Sequence, residues 1–380
     1  VTDISEFRDL PSDLGEHELI VNMGPSHPST HGVLRVILRV DGETIVDTKP
    51  DMGFLHRCFE KLCEGWTYPQ IAPLTDRTDY VAAMTNELAY VIAVERLAEI
   101  EVPERAQVIR VIVAELQRIA SHLVWLASLA NDLGATTLFL YCVREREHIL
   151  DLFEALTGAR LTYSYMRIGG VRKDLPPGFV EKTRAFLKLM PSRLREYDRL
   201  FLKNAIFLAR VKGVGRMTAE EAIAYGASGP TLRASGVDFD IRRDEPYAAY
   251  GRFEIGVPLG KSGDVYDRCI CRFKEMTESL KIIEQALAIL PALPEGEIQT
   301  KLPRVFKPPV GDIYSRVESP RGEVGVYLVS DGGPNPYRLK WRAPSFIHLE
   351  ALPLMCNGHM IADVVANIAS IDIILGEVDR

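Results

Sequence analysis

The stretch VYDRCICRFKEMTESLKIIEQALAIL (residues 265–290) is the most regular of the chain. Phe273, Met276, Leu280, Ile283, Leu287 and Leu290 recur every three or four residues, the spacing that lines one face of an α-helix. A helix packed into a bundle core is the reading, not a cofactor-binding segment. Similar spacing predicts helices over residues 81–97 and 104–130. A third is expected over residues 144–156, stopped by Gly158 as a C-terminal cap. Residues 176–211 are amphipathic and charged, and Pro191 is expected to bend or break that helix. Thr218-Ala-Glu-Glu221 is a capping box opening a short helix that ends at Gly226.

Strand patterns flank this helical mass. Residues 19–50 read as β: Val36, Leu38 and Val40 alternate with Arg35, Ile37 and Arg39, and Asp41-Gly42 marks a hairpin. Strands are expected over residues 312–331 and 337–342, a last helix over 352–369 and an ordered tail over 370–380. The predicted plan is an extended arm (1–18), a β part (19–50), a helical core (51–290), a Pro-rich connector (291–309) and a C-terminal α/β part (310–380). The class is α+β, a central helical bundle with small β parts near both termini.

The chain has 380 residues, ample for a large core, with 47% hydrophobic and 26% charged residues. A net charge of -7 argues against nucleic-acid binding. No cationic, apolar leader is expected. Residues 123–143 are apolar enough to resemble a membrane span. Asn131, Asp132 and Gly134 interrupt them, so a buried helix ending in a turn is predicted, and membrane association would run through partners. The six cysteines are Cys58, Cys63, Cys142, Cys269, Cys271 and Cys356, with no C-x-x-C pair, so reduced core thiols are expected.

A few groups have chemical potential. The loop Met23-Gly-Pro-Ser-His-Pro-Ser-Thr-His-Gly32 is shaped by proline and glycine and carries His27 and His31. It either holds a histidine near neutral pKa in a fixed place or is a turn whose histidines cap backbone groups. Asp132 closes an apolar helix, as a cap or as a buried carboxylate orienting a histidine, with His31 the candidate partner. In Asp76-Arg77-Thr78-Asp79-Tyr80, Tyr80 is an amphipathic aromatic or a phenolic proton donor. Arg77 either sets a positive charge beside a redox centre or pairs with Asp79 or Glu147. The Gly-rich runs match no phosphate or dinucleotide loop. His122 and His148 read as ordinary helix histidines.

Together, GPSHPSTHG, DRTDY, RIASHL, REREHILDLFEALTG, YMRIGGV, GPTLRASGVDFDIR, VESPRGE and DIILGEVDR resemble the D (49-kDa) subunit family of proton-pumping NADH:quinone oxidoreductase, respiratory complex I. The likeness covers nearly the whole chain. That family is similar in turn to the large subunit of nickel–iron hydrogenases, whose two C-x-x-C metal motifs would fall at Asp79 and Ala82, and at Ile374 and Glu377. No thiolate remains there, so no metal is expected on this chain.

The resemblance implies a quinone chamber in the old metal cavity, beside a small subunit that carries the terminal iron–sulfur cluster. His31 and Tyr80 would hydrogen-bond the two quinone carbonyls, with Asp132 partnering His31. Asp372 and Ile374 would line the chamber, and Arg77 would sit near the cluster. Quinone is then the substrate, and the partners are the iron–sulfur subunit, other peripheral-arm subunits and the membrane arm. The place is the cell membrane, peripheral on the cytoplasmic side, or the matrix side if organellar. The family commonly carries a histidine just before YxRIGGV. Thr162 stands there, so a pH-dependent cluster potential is not expected. The alternatives are the same quinone module fed by ferredoxin or a reduced deazaflavin, a hydrogenase-like metalloenzyme subunit, and a scaffold with a dead cavity.

Overall fold

The computed structural model describes residue 15 and residues 17–380. The expected arm over residues 1–18 falls almost wholly outside them. The chain opens with an antiparallel sheet of β1 (Glu18–Met23), β2 (Arg35–Asp41) and β3 (Thr44–Asp51), in the order β1-β2-β3. Val36, Leu38 and Val40 point inward, as the alternation predicts. Helices follow: α1 (Phe59–Gly65), α2 (Tyr68–Thr75), α3 (Ala83–Leu97), α4 (Glu104–Asp132) and α5 (Thr136–Thr157). A short ribbon, β4 (Met166–Arg167) with β5 (Gly170–Val171), precedes α6 (Phe179–Tyr197), α7 (Ala205–Val211), α8 (Ala219–Ala224), α9 (Gly229–Ala234), α10 (Ile241–Asp244) and α11 (Val265–Ile289). A second antiparallel sheet has the order β6 (Gly311–Ser319), β7 (Gly322–Ser330), β8 (Arg338–Arg342). The chain closes with α12 (Pro344–Glu350), α13 (Leu352–Cys356), α14 (Ile361–Ile371) and α15 (Leu375–Asp379).

α4 is the axis of the fold. Every residue from Val108 to Leu123 is buried, so the helix is enclosed on all sides and not amphipathic in the usual surface sense. It carries Arg110, Glu115, Arg118 and His122 into the interior, where unpaired charges would be costly. Each is paired: Arg110 with Glu95, Arg118 and Arg242 with Glu115, and His122 with Glu275 at 2.9 Å. Burial holds His122 down to about 4, so it is neutral at physiological pH.

Three helices depart from expectation. α5 begins at Thr136, eight residues before the predicted 144, because the turn after α4 is only Leu133–Ala135. Pro191 lies inside α6 without ending it. It sits on the exposed side, where a carbonyl freed from the helical ladder is solvated. The helix expected over residues 352–369 is split into α13 and α14 at Asn357–Gly358, where Gly358 has φ +81°. The apolar run over residues 123–143 does turn between two helices, and among the described residues no helix is long and apolar enough to cross a membrane.

The first sheet packs on the closing helices. Ile45 and His359 share a backbone hydrogen bond of 2.9 Å, and Thr48 donates to Asn357 at 3.0 Å. The first sheet thus shares a core with α8, α9 and the closing helices, while the second sheet shares the larger core with α3 and α4. Between these cores Arg321 meets the 76–82 turn and Asp372, Gly376 lies on Thr78, and the charge of Arg321 reaches His31.

Candidate functional site

The segment Asp76–Ala82 turns the chain from α2 into α3. Asp79 Oδ1 accepts the backbone N–H groups of Val81 and Ala82, both at 3.1 Å, so the carboxylate braces the turn that leads into α3. Its other oxygen accepts from Arg321 Nη1 at 2.6 Å. Arg321 is buried in the turn between β6 and β7 and also donates to Ser121 at 3.1 Å and to Asp372 Oδ1 at 3.4 Å. Asp372 ends α14 with φ +54° and lies 4.0 Å from Arg272 Nε.

α15 completes this wall. Ile374 donates its N–H to Ser345 Oγ at 3.1 Å, and the N–H of Ser345 donates to Glu377 Oε1 at 3.0 Å. A Cβ on Gly376 would sit 2.7 Å from the Thr78 carbonyl, so this glycine lets α15 lie directly on the Asp76–Ala82 turn. Arg57 bridges the two segments, donating to the carbonyls of Arg77 at 2.8 Å and Gly376 at 2.9 Å. Asp79, Ala82, Ile374 and Glu377, the four positions at which the hydrogenase likeness leads one to look for metal ligands, lie on these two facing segments, but they carry two carboxylates, a methyl and a branched alkyl group. That donor set does not suit a soft metal. Among the described residues no cluster of histidine, cysteine and acidic groups fit for a metal is found.

His31 and Tyr80 both lie within reach of the Arg321 charge. His31 caps the turn Pro28–Thr30 in a left-handed conformation, φ +56°, with its N–H on Pro28 O at 3.2 Å. The residue as a whole is exposed, but burial of its imidazole against the protein and then the Arg321 charge lower its pKa. Tyr80 is half-buried. Burial and the Asp79 charge raise its pKa, while Arg321 and Arg57 oppose that. One guanidinium thus acts on both side chains.

Other expected placements differ. Asp132 is half-buried at the end of α4, and burial raises its pKa. The histidine whose charge acts on it is His27; among the described residues no hydrogen bond joins it to His31. The loop offers two rings, and the one nearer α4 is not the one beside Arg321. Arg77 pairs neither with Asp79 nor with Glu147. It is exposed, donates to the Pro73 carbonyl and lies 3.7 Å from Asp76. Asp79 is taken by Arg321, and Glu147 pairs with Arg160. Thr162 stands in a left-handed turn, φ +54°, next to Ser164, whose N–H donates to Asp76 at 2.9 Å.

Known proteins share this chain's pattern over most of its length. Residues 132–308 and 301–380 match the family described as the respiratory-chain NADH dehydrogenase 49-kDa subunit. The chain belongs to that family. It is 54% identical over 377 residues to the second D-type NADH-quinone oxidoreductase subunit of Symbiobacterium thermophilum, covering 96% of this chain and 98% of that one. It is 52% identical to the corresponding D-type NADH-quinone oxidoreductase subunit of Geobacillus kaustophilus, covering 96% and 99%.

Asp132, Arg321, Asp372, Ile374 and Glu377 all lie within the segments that match the 49-kDa family. Arg321 is the residue of this 49-kDa-type site that its local sequence does not mark. It sits in the VESPRGE motif, but its partners lie far away in the chain, and local spacing carries no trace of them. Glu377 reads in the sequence only as a lost thiolate position.

Proposed function

We propose that this chain is a peripheral-arm subunit of a proton-translocating NADH:quinone oxidoreductase and forms the quinone-reduction site with an adjoining iron–sulfur subunit. It lies against the cytoplasmic face of the membrane, or the matrix face in an organelle, held there by the membrane arm. The observation that carries this reading is the placement of an imidazole and a phenol about one buried guanidinium. Reducing a quinone takes two electrons and two protons. The terminal cluster of the neighbouring subunit supplies the electrons.

The chain's own residues supply the rest. Tyr80 donates its phenolic proton to one carbonyl oxygen, and His31 serves the other. Tyr80 has a raised pKa and so keeps its proton until negative charge develops on the substrate oxygen. Arg321, fixed between Asp79 and Asp372, steadies that developing charge without moving. His31 has a lowered pKa, so it is neutral in the resting site and acts as a hydrogen-bond donor or relays a proton from outside. Asp132 and His27 at the mouth of the loop would pass that proton inward. Ile374 and Asp372 shape the chamber wall, and Arg77 faces the neighbouring cluster.

The test is Tyr80→Phe in the complete complex. Quinone reduction should fall by about 10²-fold, the usual scale for a lost general acid, while NADH still reduces the iron–sulfur clusters. Full quinone reductase activity in this variant would leave the pocket a scaffold.

A further inference from the structure

Beside the two proton donors lie carboxylates that have no task in the delivery of protons to quinone by Tyr80 and His31. Asp79, Asp372 and Glu377 come from the α2–α3 turn, the end of α14 and α15, and converge on Arg321. Glu377 Oε2 is buried without a hydrogen-bond partner among the described residues, and Asp372 Oδ2 makes no hydrogen bond and has Arg272 Nε 4.0 Å away. A bare carboxylate oxygen in such a place is costly, whereas a protonated carboxyl offers an O–H and sheds the charge. Three carboxylates here face two buried guanidiniums, Arg321 and Arg272. One proton makes the group neutral. The other facing groups are Tyr80, His31 in its uncharged form, and Arg57, which is exposed at the rim and screened by water.

We propose that Asp79, Asp372 and Glu377 hold one proton among them in the resting site, and that it re-protonates Tyr80 after the quinone has been reduced. The proposal rests on the reading that Tyr80 protonates quinone. The steps balance. The Tyr80 O–H bond breaks and a quinol O–H forms, with electrons from the partner's cluster. The carboxyl O–H then breaks and the Tyr80 O–H re-forms, and solvent returns a proton to the carboxylate.

Glu377 is the principal holder. Its backbone-anchored oxygen is fixed by Ser345, which leaves the free oxygen to carry the proton. Burial and the Asp79 charge push Glu377 up to about 8, and burial pushes Asp372 up to about 6 against Arg321 and Arg272. The group is thus loaded at neutral pH. It occupies the place where metal-bearing relatives would need thiolates, so a proton sits where a cation would.

The experiment uses the intact complex with Glu377→Gln. Turnover with quinone should fall at least about tenfold, with KM for quinone and NADH-driven cluster reduction unchanged. The alkaline fall in the wild-type rate near pH 8 should vanish in Glu377→Gln and persist in Glu377→Asp, which also recovers part of the rate. Infrared difference spectra on quinone reduction should show a protonated-carboxyl band in wild type that Glu377→Gln lacks. Wild-type turnover and pH profile in Glu377→Gln, with Tyr80→Phe inactive, overturns the proposal but spares the quinone site. If Tyr80→Phe is fully active, the quinone reading itself falls. If Glu377→Gln does not assemble, the wild-type spectrum decides: a carboxyl band lost above pH 8 supports the proposal, and no such band at neutral pH overturns it.

Discussion

Arg321 is the side chain on which the pocket turns. It binds Asp79 and Asp372 and touches Ser121, and its charge reaches both His31 and Tyr80. Arg321→Met would leave Asp79 without its ion-pair partner and Asp372 with only Arg272, 4.0 Å away. We expect a loss of about 3–5 kcal/mol, the usual cost of breaking a buried ion pair from one side, read as a drop in Tm. The same variant should raise the pKa of His31, since Arg321 now depresses it; NMR of the ring would show it. Motifs in the sequence point to His31 and Tyr80, because shaped loops and helix entrances leave local signatures, whereas Asp372 is reached only through the family resemblance. They do not point to Arg321, whose partner Asp79 is 242 positions away. Nor do they distinguish His27 from His31 as the ring beside Asp132, since two histidines four apart on one turn look alike until the turn's handedness is known.

The helices carry the site. α4 brings Ser121 to Arg321 and ends at Asp132, so a shift in its packing moves both ends of the proposed proton route. Leu116 is fully buried on α4. Leu116→Ala should cost about 3 kcal/mol through lost contacts and the cavity left behind, measurable by denaturant unfolding. A cost below about 1 kcal/mol would show that α4 can collapse around the gap. Periodicity finds α3, α4 and α11 well, because long buried helices repeat an apolar face many times. It fails where helices are short. α12, α13 and α14 are brief, and the breaks between them are set by Pro353 and Gly358 at points that a greasy sequence conceals.

Across the whole molecule, buried titratable groups limit stability from both sides of neutrality. His122 and His348 are held down to about 4 and about 3 by burial, so the folded state binds fewer protons than the unfolded state once pH drops below the ordinary 6.5. Their contribution is intact above 6.5 and is lost as pH falls towards those values. Glu377 works the other way. The folded state keeps a proton that the unfolded state has released, so stability declines as pH rises from the ordinary 4.5 to about 8. Tm should therefore pass through a maximum, and Glu377→Gln should flatten the decline above 6.5 and steepen the rise between 4.5 and 6.5, where Glu377 opposes the histidines. An unchanged alkaline slope in that variant would place the cause elsewhere. The α+β plan is readable from strand alternation and helix period, whereas the packing of the first sheet on the closing helices is not, because that contact spans most of the chain. The Thr48–Asn357 contact joins positions 309 apart, and Gly376 rests on Thr78. A nascent chain that has not yet produced residues 372–377 has the histidine loop and the tyrosine but no floor beneath them. Docking of a neighbouring subunit against that floor would then act as an inspection step, admitting only polypeptides in which residues 372–377 have been made and have folded into place.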